Sequence, residues 1–336
     1  MEKALAPPRK QWLDALRGLA IFLVVLLHNL PVGEEKYFYI LLTGPIKLPL
    51  FFAISGYVFN PREGKQGIFF LNVLRKILIP SLVLFIGLHA PSVLTRGFSY
   101  LLYRLRDFFT GDVCWYITAC ILGEILFFYN LKFCKKEWQI CLTAGICCVL
   151  GFVMAAFGFG DFAMLNRAFI AQAFLLMGYL FRRHEEFFKK LHWSVLLVGF
   201  LLVAVLITAG YFLFPNRGID VHMNNYYGSL WTVPFSFLLI ALFNLSLMTL
   251  GAKLGRISKI LSLVGQHTLI TYIWHGFFLS IGMRVLPLGD STGILLIGKC
   301  LLLTAFSIGM CTLGGVIINW VFPELMGRKR KKKEKV

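Results

Sequence analysis

The sequence predicts an all-α fold: a polytopic membrane helix bundle of about ten transmembrane helices, with the N- and C-termini both cytoplasmic. Three observations predict it. Hydrophobic residues make up 58% of the 336, charged residues only 15%, and the mean hydropathy is +0.75; a soluble domain of this size carries more charge. Apolar runs of about 18 residues or more recur along the chain. They are continuous rather than short and alternating, so helices and not a barrel satisfy the backbone in lipid. Finally, lysine and arginine concentrate in alternate loops, the pattern that orients a membrane protein.

Ten apolar segments follow in order: 12–31, 38–60, 73–93, 113–131, 139–157, 162–181, 193–214, 229–250, 260–283 and 292–322. The inner loops hold Lys3, Arg9 and Lys10, then Arg62, Lys65, Arg75 and Lys76. Lys132, Lys135 and Lys136 follow, then Arg182, Arg183, Lys189 and Lys190, then Lys253, Arg256 and Lys259, and finally the tail. Lys36, Lys47, Arg96, Arg104, Arg106, Arg167, Arg217 and Arg284 are counted to the outer side. The chain divides into a membrane domain, 1–326, and a basic cytoplasmic tail, 327–336, whose cluster "RKRKKKEKV" suits anionic lipid headgroups. The net charge of +18 is spread over these short loops, which argues against nucleic acid as a partner. The first apolar run is too long for a cleavable signal. No loop has room for a soluble domain. The eight cysteines fall mostly inside apolar runs as packing residues. No histidine–carboxylate cluster has ligand spacing, so no metal is expected.

Two outer loops are longer than a turn. "TRGFSYLLYRLRDFFTGD", from Thr95 to Asp112, reads as an amphipathic interfacial helix with its arginines toward water. "PNRGIDVHMNNYYG", from Pro215 to Gly228, is rich in amides and aromatic rings, which suit sugar contact as well as any membrane interface.

Candidate chemistry lies where spans carry polar groups, because a charge inside a membrane costs roughly 3 kcal/mol or more and faces a cavity or a partner. In the first span, Arg17 and His28 are eleven residues apart. That spacing puts them on one helical face, about 16 Å apart along the axis. Asp14 stands one turn before Arg17, within pairing reach. In the second span, Gly56 permits close backbone approach and Ser55 offers a hydroxyl. Arg75 and Lys76 precede the third span and could hold phosphates or simply mark the inner side. Glu124 is an acid within the fourth span that needs a partner on another helix. In the ninth span, Tyr272 and His275 share a face, and His275 lies at a depth like that of His28.

Together these motifs resemble the acyltransferase type 3 family of membrane acyltransferases. "LDALRGLAIFLVVLLH" is similar to its opening signature, "PLFFAISGYVF" to its second-helix motif and "RKILIP" to its inner-loop basic motif. "CWYITACILGEIL", with Trp115 and Glu124, resembles its Trp–aromatic stretch, and "GQHTLITYIWH" its late Tyr-to-His motif. The matches fall in the family's order over most of the chain. One departure is that Asn72 and Val73 stand where the first basic residue of the inner-loop motif is usual, leaving Arg75 and Lys76.

The resemblance implies about ten core helices. It also implies transfer of an acyl group, taken here as acetyl, from cytoplasmic acyl-CoA to a hydroxyl of an extracytoplasmic glycan or lipid-linked sugar, at the plasma (inner) membrane. Acyl-CoA would be a co-substrate, with no tightly bound cofactor. His28 would be the general base or, alternatively, an acyl-carrying nucleophile. Arg17, oriented by Asp14, would join Arg75 and Lys76 near the donor phosphates. Ser55, Trp115, Glu124, Tyr272 and His275 would be substrate or oxyanion contacts. The reading from a different class is a lipid or sugar transporter or flippase, with the buried charges lining a path.

Overall fold

The computed structural model describes residues 10–60, 66–214, 218–228 and 230–326. The basic tail at 327–336 lies outside the described residues, as do Lys3, Arg9, Arg62, Lys65 and Arg217 of the charge pattern. The described chain is almost entirely helical. The first five helices are α1 (Gln11–Asn29), α2 (Glu34–Val58), α3 (Gln66–Val73), α4 (Ile79–Arg96) and α5 (Phe98–Thr110). Next come α6 (Trp115–Phe133), α7 (Glu137–Ala156), α8 (Leu165–Arg183), the short α9 (Glu185–Lys190) and α10 (Trp193–Leu213). A hairpin of two-residue strands, β1 (Ile219–Asp220) and β2 (Asn225–Tyr226), interrupts the helices. The chain then continues with α11 (Val233–Leu254), α12 (Lys259–Gln266), α13 (Thr268–Val285) and α14 (Gly293–Val321).

Nine helical segments among the described residues are long and apolar enough to cross a membrane. The third is longer than expected: α3 and α4 run on through a π-helical turn at Leu74–Leu78, making 31 residues from Gln66 to Arg96. The predicted segment 260–283 is split into α12 and α13 at His267. The cause is a contact that no single segment encodes. A Cβ on Gly265 would sit 1.7 Å from the Asp14 carbonyl oxygen, and one on Gly18 would sit 2.0 Å from that of Leu261. Helix α12 therefore lies with bare backbone against α1, and the chain bends after it. On the outside of the bundle, α10 presents Leu197, Leu201, Val205 and Phe212, all exposed, as a lipid-facing surface must.

Buried amides join the helices through backbone carbonyls. Asn29 Nδ2 donates to the Cys300 carbonyl at 2.9 Å and to Thr304 Oγ1 at 2.8 Å, and Gln172 Nε2 donates to the Gly123 carbonyl at 2.9 Å. The most specific of these serves a proline. Pro49 lies inside α2 and has no N–H to give the Pro45 carbonyl one turn earlier. Asn244 of α11 supplies the missing donor: its Nδ2 is 2.9 Å from that carbonyl and 2.7 Å from the Ile240 carbonyl. Asn244→Leu strands a buried acceptor. It should lower stability by about 1–3 kcal/mol, read as a lower thermal-unfolding midpoint in nanodiscs; an unchanged midpoint would show that another donor serves Pro45.

At the Lys10 end of the bundle, Glu185 gathers Lys10 (2.6 Å), Tyr57 (2.5 Å) and Lys189 (3.0 Å). Burial opposes ionisation of Glu185, but these donors outweigh it and hold its carboxyl below the usual carboxylate range. A carboxyl depressed on folding contributes stability that is present above its unfolded pKa, about 4.3, and is lost as the pH falls through the folded value. The thermal midpoint should therefore drop below about pH 4.5, and the drop should be shallower in Glu185→Gln; identical profiles would rule the cluster out as its source.

Candidate active site

Helix α1 carries the polar face expected of it. Arg17, Ile21 and Val24, spaced by four and three residues, line a cavity of about 950 Å³. Asp14 is buried, 2% exposed, and accepts from Arg17 Nη1 at 3.5 Å. Five other helical segments complete the wall: Ser55 from α2, Asn72 from α3, Lys76 from the π turn, Tyr116 and Glu124 from α6, and Tyr272 from α13. The Tyr116 backbone N–H donates to the Tyr272 hydroxyl at 3.1 Å. That leaves the Tyr272 proton available to an acceptor inside the cavity. Glu124 faces the charges of Arg17 and Lys76. Of the basic pair, Lys76 lines the cavity and Arg75 does not, because neighbours on a helix point about 100° apart.

His28 lies one turn beyond Val24 and is not on the cavity wall; it is exposed at the opposite end of the bundle from Lys10. Its Nδ1 is 2.8 Å from the Val24 carbonyl, a pure acceptor. The proton is thereby assigned to Nδ1, and Nε2 keeps its lone pair. His275 is built alike: its Nδ1 reaches the carbonyls of Thr271 at 3.0 Å and Tyr272 at 2.9 Å. The two imidazoles meet edge to face, with centroids 4.8 Å apart. The helices that carry them are tied to α14, α1 through Asn29 as described and α13 through the His275 carbonyl, which accepts from Ser307 Oγ at 3.0 Å. Trp274 Nε1 ties α13 to the Leu84 carbonyl of α4 at 3.0 Å.

The remaining groups that act on His28 are ones the sequence did not mark as site residues. Lys47, counted to the outer side, is inside α2 and 2% exposed, and its ammonium makes no hydrogen bond among the described residues. It acts on His28 through space together with Lys36 and with Asp220 of the hairpin. The hairpin lies in the loop from Pro215 to Gly228, of which 218–228 are described. Its rings are not displayed: Tyr226 is 2% and Tyr227 0% exposed. Ile219 pairs with Tyr226 and Asp220 with Asn225, so alternation turns the first pair into the core and the second toward solvent. His222, at the hairpin's tip, stacks on Trp115 with centroids 4.9 Å apart. Trp115 thus faces the hairpin rather than the cavity. Burial, with help from Arg167 and His28 and against Asp220, lowers the His222 pKa and so favours the neutral ring. A charge within "GPIKLPLFF" was the signal that could have revealed Lys47; nothing local marks Asp220 or His222.

The other long loop forms α5, as expected. Its arginines do not simply face water, since Arg104 (3.1 Å) and Arg106 (3.2 Å) both pair with the buried Asp107.

This fold and site define a class: a multi-pass helical membrane protein with a polar cavity inside the bundle and a pair of imidazoles just past its end. The chain belongs to the acyltransferase type 3 family, whose acyltransferase-domain model matches residues 10–320. It is a membrane acyltransferase. No curated protein and no solved structure matches it.

Proposed function

We propose that the protein takes an acyl group, acetyl in the simplest case, from acyl-CoA entering at the Lys10 end and transfers it to a hydroxyl of a glycan or lipid-linked sugar at the His28 end. The carrying observation is the order of chemistry along the bundle: cations on the cavity wall, and just past its end a basic imidazole nitrogen that has no partner among the described residues. The positive-inside pattern supports a cytoplasmic Lys10 end and a place in the plasma (inner) membrane. Arg17, fixed by Asp14, and Lys76 then meet the donor's phosphates; Arg75 contributes only charge from outside.

His28 Nε2 takes the proton of the acceptor hydroxyl as its oxygen attacks the thioester carbonyl. The Val24 carbonyl holds the tautomer that makes this possible. The tetrahedral oxyanion collapses, the C–S bond breaks, and the imidazolium returns its proton to the leaving sulfur. Tyr272, whose hydroxyl already accepts from Tyr116, and Ser55 are the donors to the oxyanion. His275 packs against His28 and limits its rotation. In the covalent variant His28 itself carries the acyl group; rapid-quench labelling with radioactive acyl donor separates the two, because direct transfer leaves no labelled protein at any time.

The test is release of free coenzyme A thiol by nanodisc-embedded protein, with and without surface glycan from the same cells. Glycan-dependent thiol release is expected. Glycan movement across the bilayer with no thiol released would favour a transporter instead. Lys76→Ala should raise the KM for acyl-CoA by about tenfold, the worth of one exposed charge–phosphate contact near 1.4 kcal/mol, with kcat little changed; an unchanged KM would remove Lys76 from the donor site.

A further inference from the structure

A second cavity, of about 610 Å³, is bordered by the hairpin and shares no residue with the first. Its walls include Phe152 and Ala156 of α7, Arg167 of α8, and Asn224, Asn225 and Tyr226 of the hairpin. Three features limit what it could hold. Its charges are balanced internally: Arg167, 9% exposed, pairs through Nη1 with Asp161 and with Asn166 Oδ1, and its Nε and Nη2 donate to the His222 carbonyl at 3.0 and 2.8 Å. An anion entering here would find few free donors. Two polar atoms are nonetheless buried without a partner among the described residues: the Asn224 side-chain oxygen and the hydroxyl of Tyr226, which is 2% exposed. Native structures rarely leave such atoms unserved. The nonpolar part of the wall is aromatic, Phe152 lying edge-on to Tyr226 with centroids 5.1 Å apart.

We propose that this cavity is a subsite for an uncharged carbohydrate segment. A sugar hydroxyl both donates and accepts, so it can give its proton to Asn224 Oδ1 and meet the Tyr226 hydroxyl in either sense. The C–H face of a pyranose packs on aromatic rings, and the volume falls within the usual range for a ligand site, roughly 300–1,000 Å³. The cavity is also placed to serve the chemistry. Arg167 grips the carbonyl of His222, whose ring lies on Trp115 and acts on His28. One hairpin therefore separates the subsite from the imidazole pair, and a glycan held in one can present a neighbouring unit to the other. That last role rests on the acyl-transfer reading; carbohydrate binding itself does not.

The experiment is saturation-transfer NMR on the nanodisc-embedded protein with maltotriose, chitotriose and mannotriose as neutral probes, and glycerophosphoglycerol as a headgroup probe. At least one trisaccharide should receive saturation. Asn224→Ala should weaken that binding by about tenfold, the loss of one buried hydrogen bond near 1.4 kcal/mol. Ala156→Trp, which fills the cavity from its exposed rim, should abolish it while the thermal midpoint stays at the wild-type value. No transfer to any trisaccharide, transfer unchanged in both variants, or transfer only to glycerophosphoglycerol overturns the proposal. Trisaccharide binding without any acyl-CoA consumption would keep the subsite and sink the acyl-transfer reading. Thiol release without trisaccharide binding would do the opposite.

Discussion

Replacing His28 by alanine should cut acyl transfer by about 10²–10⁴-fold, the usual worth of a positioned general base, while the protein folds as before. The fold should survive because His28 is exposed and, among the described residues, its one hydrogen bond is to the Val24 carbonyl of its own helix. Activity should not survive, because among the described residues the imidazole packed against it, His275, is less well placed. His275 also keeps a bare Nε2, but its ring is turned edge-on to His28 and is more buried. His275→Ala should accordingly leave more activity than His28→Ala, by loosening the ring it supports. His28→Gln, which keeps a polar group but no base at neutral pH, should be as inactive as the alanine variant. Thiol release and glycan acylation by mass spectrometry measure all three. A His28→Ala enzyme within tenfold of wild type would refute the general-base and covalent routes together.

The largest effect on folding should come from glycines. Helices α2 and α8 cross with their backbones in contact: a Cβ on Gly178 would lie 1.7 Å from the Ala53 carbonyl oxygen, and one on Gly56 would lie 1.9 Å from that of Leu175. Gly265 and Gly18 make the same crossing between α12 and α1. Overpacking usually costs about 1–3 kcal/mol when side chains can yield; here the obstacle is backbone, so the helices must separate. Gly178→Ala and Gly265→Ala should each lose more than about 3 kcal/mol, a large part of the 5–15 kcal/mol that holds a typical fold. The Gly265 variant should also displace Asp14 and Arg17. Gly276→Ala and Gly298→Ala are the controls, since nothing lies within 4 Å of either added methyl. They should be neutral or gain up to about 1 kcal/mol in helix propensity. Folded yield on size exclusion and thermal midpoints decide it, and a Gly178→Ala protein melting like wild type would show that the crossing is looser than described.

Much of this protein was determined by the sequence alone. A bilayer demands long apolar helices, so the segments and their order could be read from hydropathy. A helix repeats every 3.6 residues, so Arg17, Ile21, Val24 and His28 were bound to share a face. Gly56 announced a close approach, and Asp14 its partner Arg17. Those properties belong to one helix at a time. What the tertiary structure decided is which faces meet. It set His28 against His275, placed Lys76 but not Arg75 on the cavity, and used Asn244 to serve a carbonyl that Pro49 had stranded. It also buried Lys47 in the bundle and folded the amide-rich loop as a hairpin with its tyrosines inward. Periodicity fixes the direction of a side chain relative to its own axis. The partner across the gap depends on how the axes cross, and here the crossings are set by backbone contacts at glycines far apart in the chain.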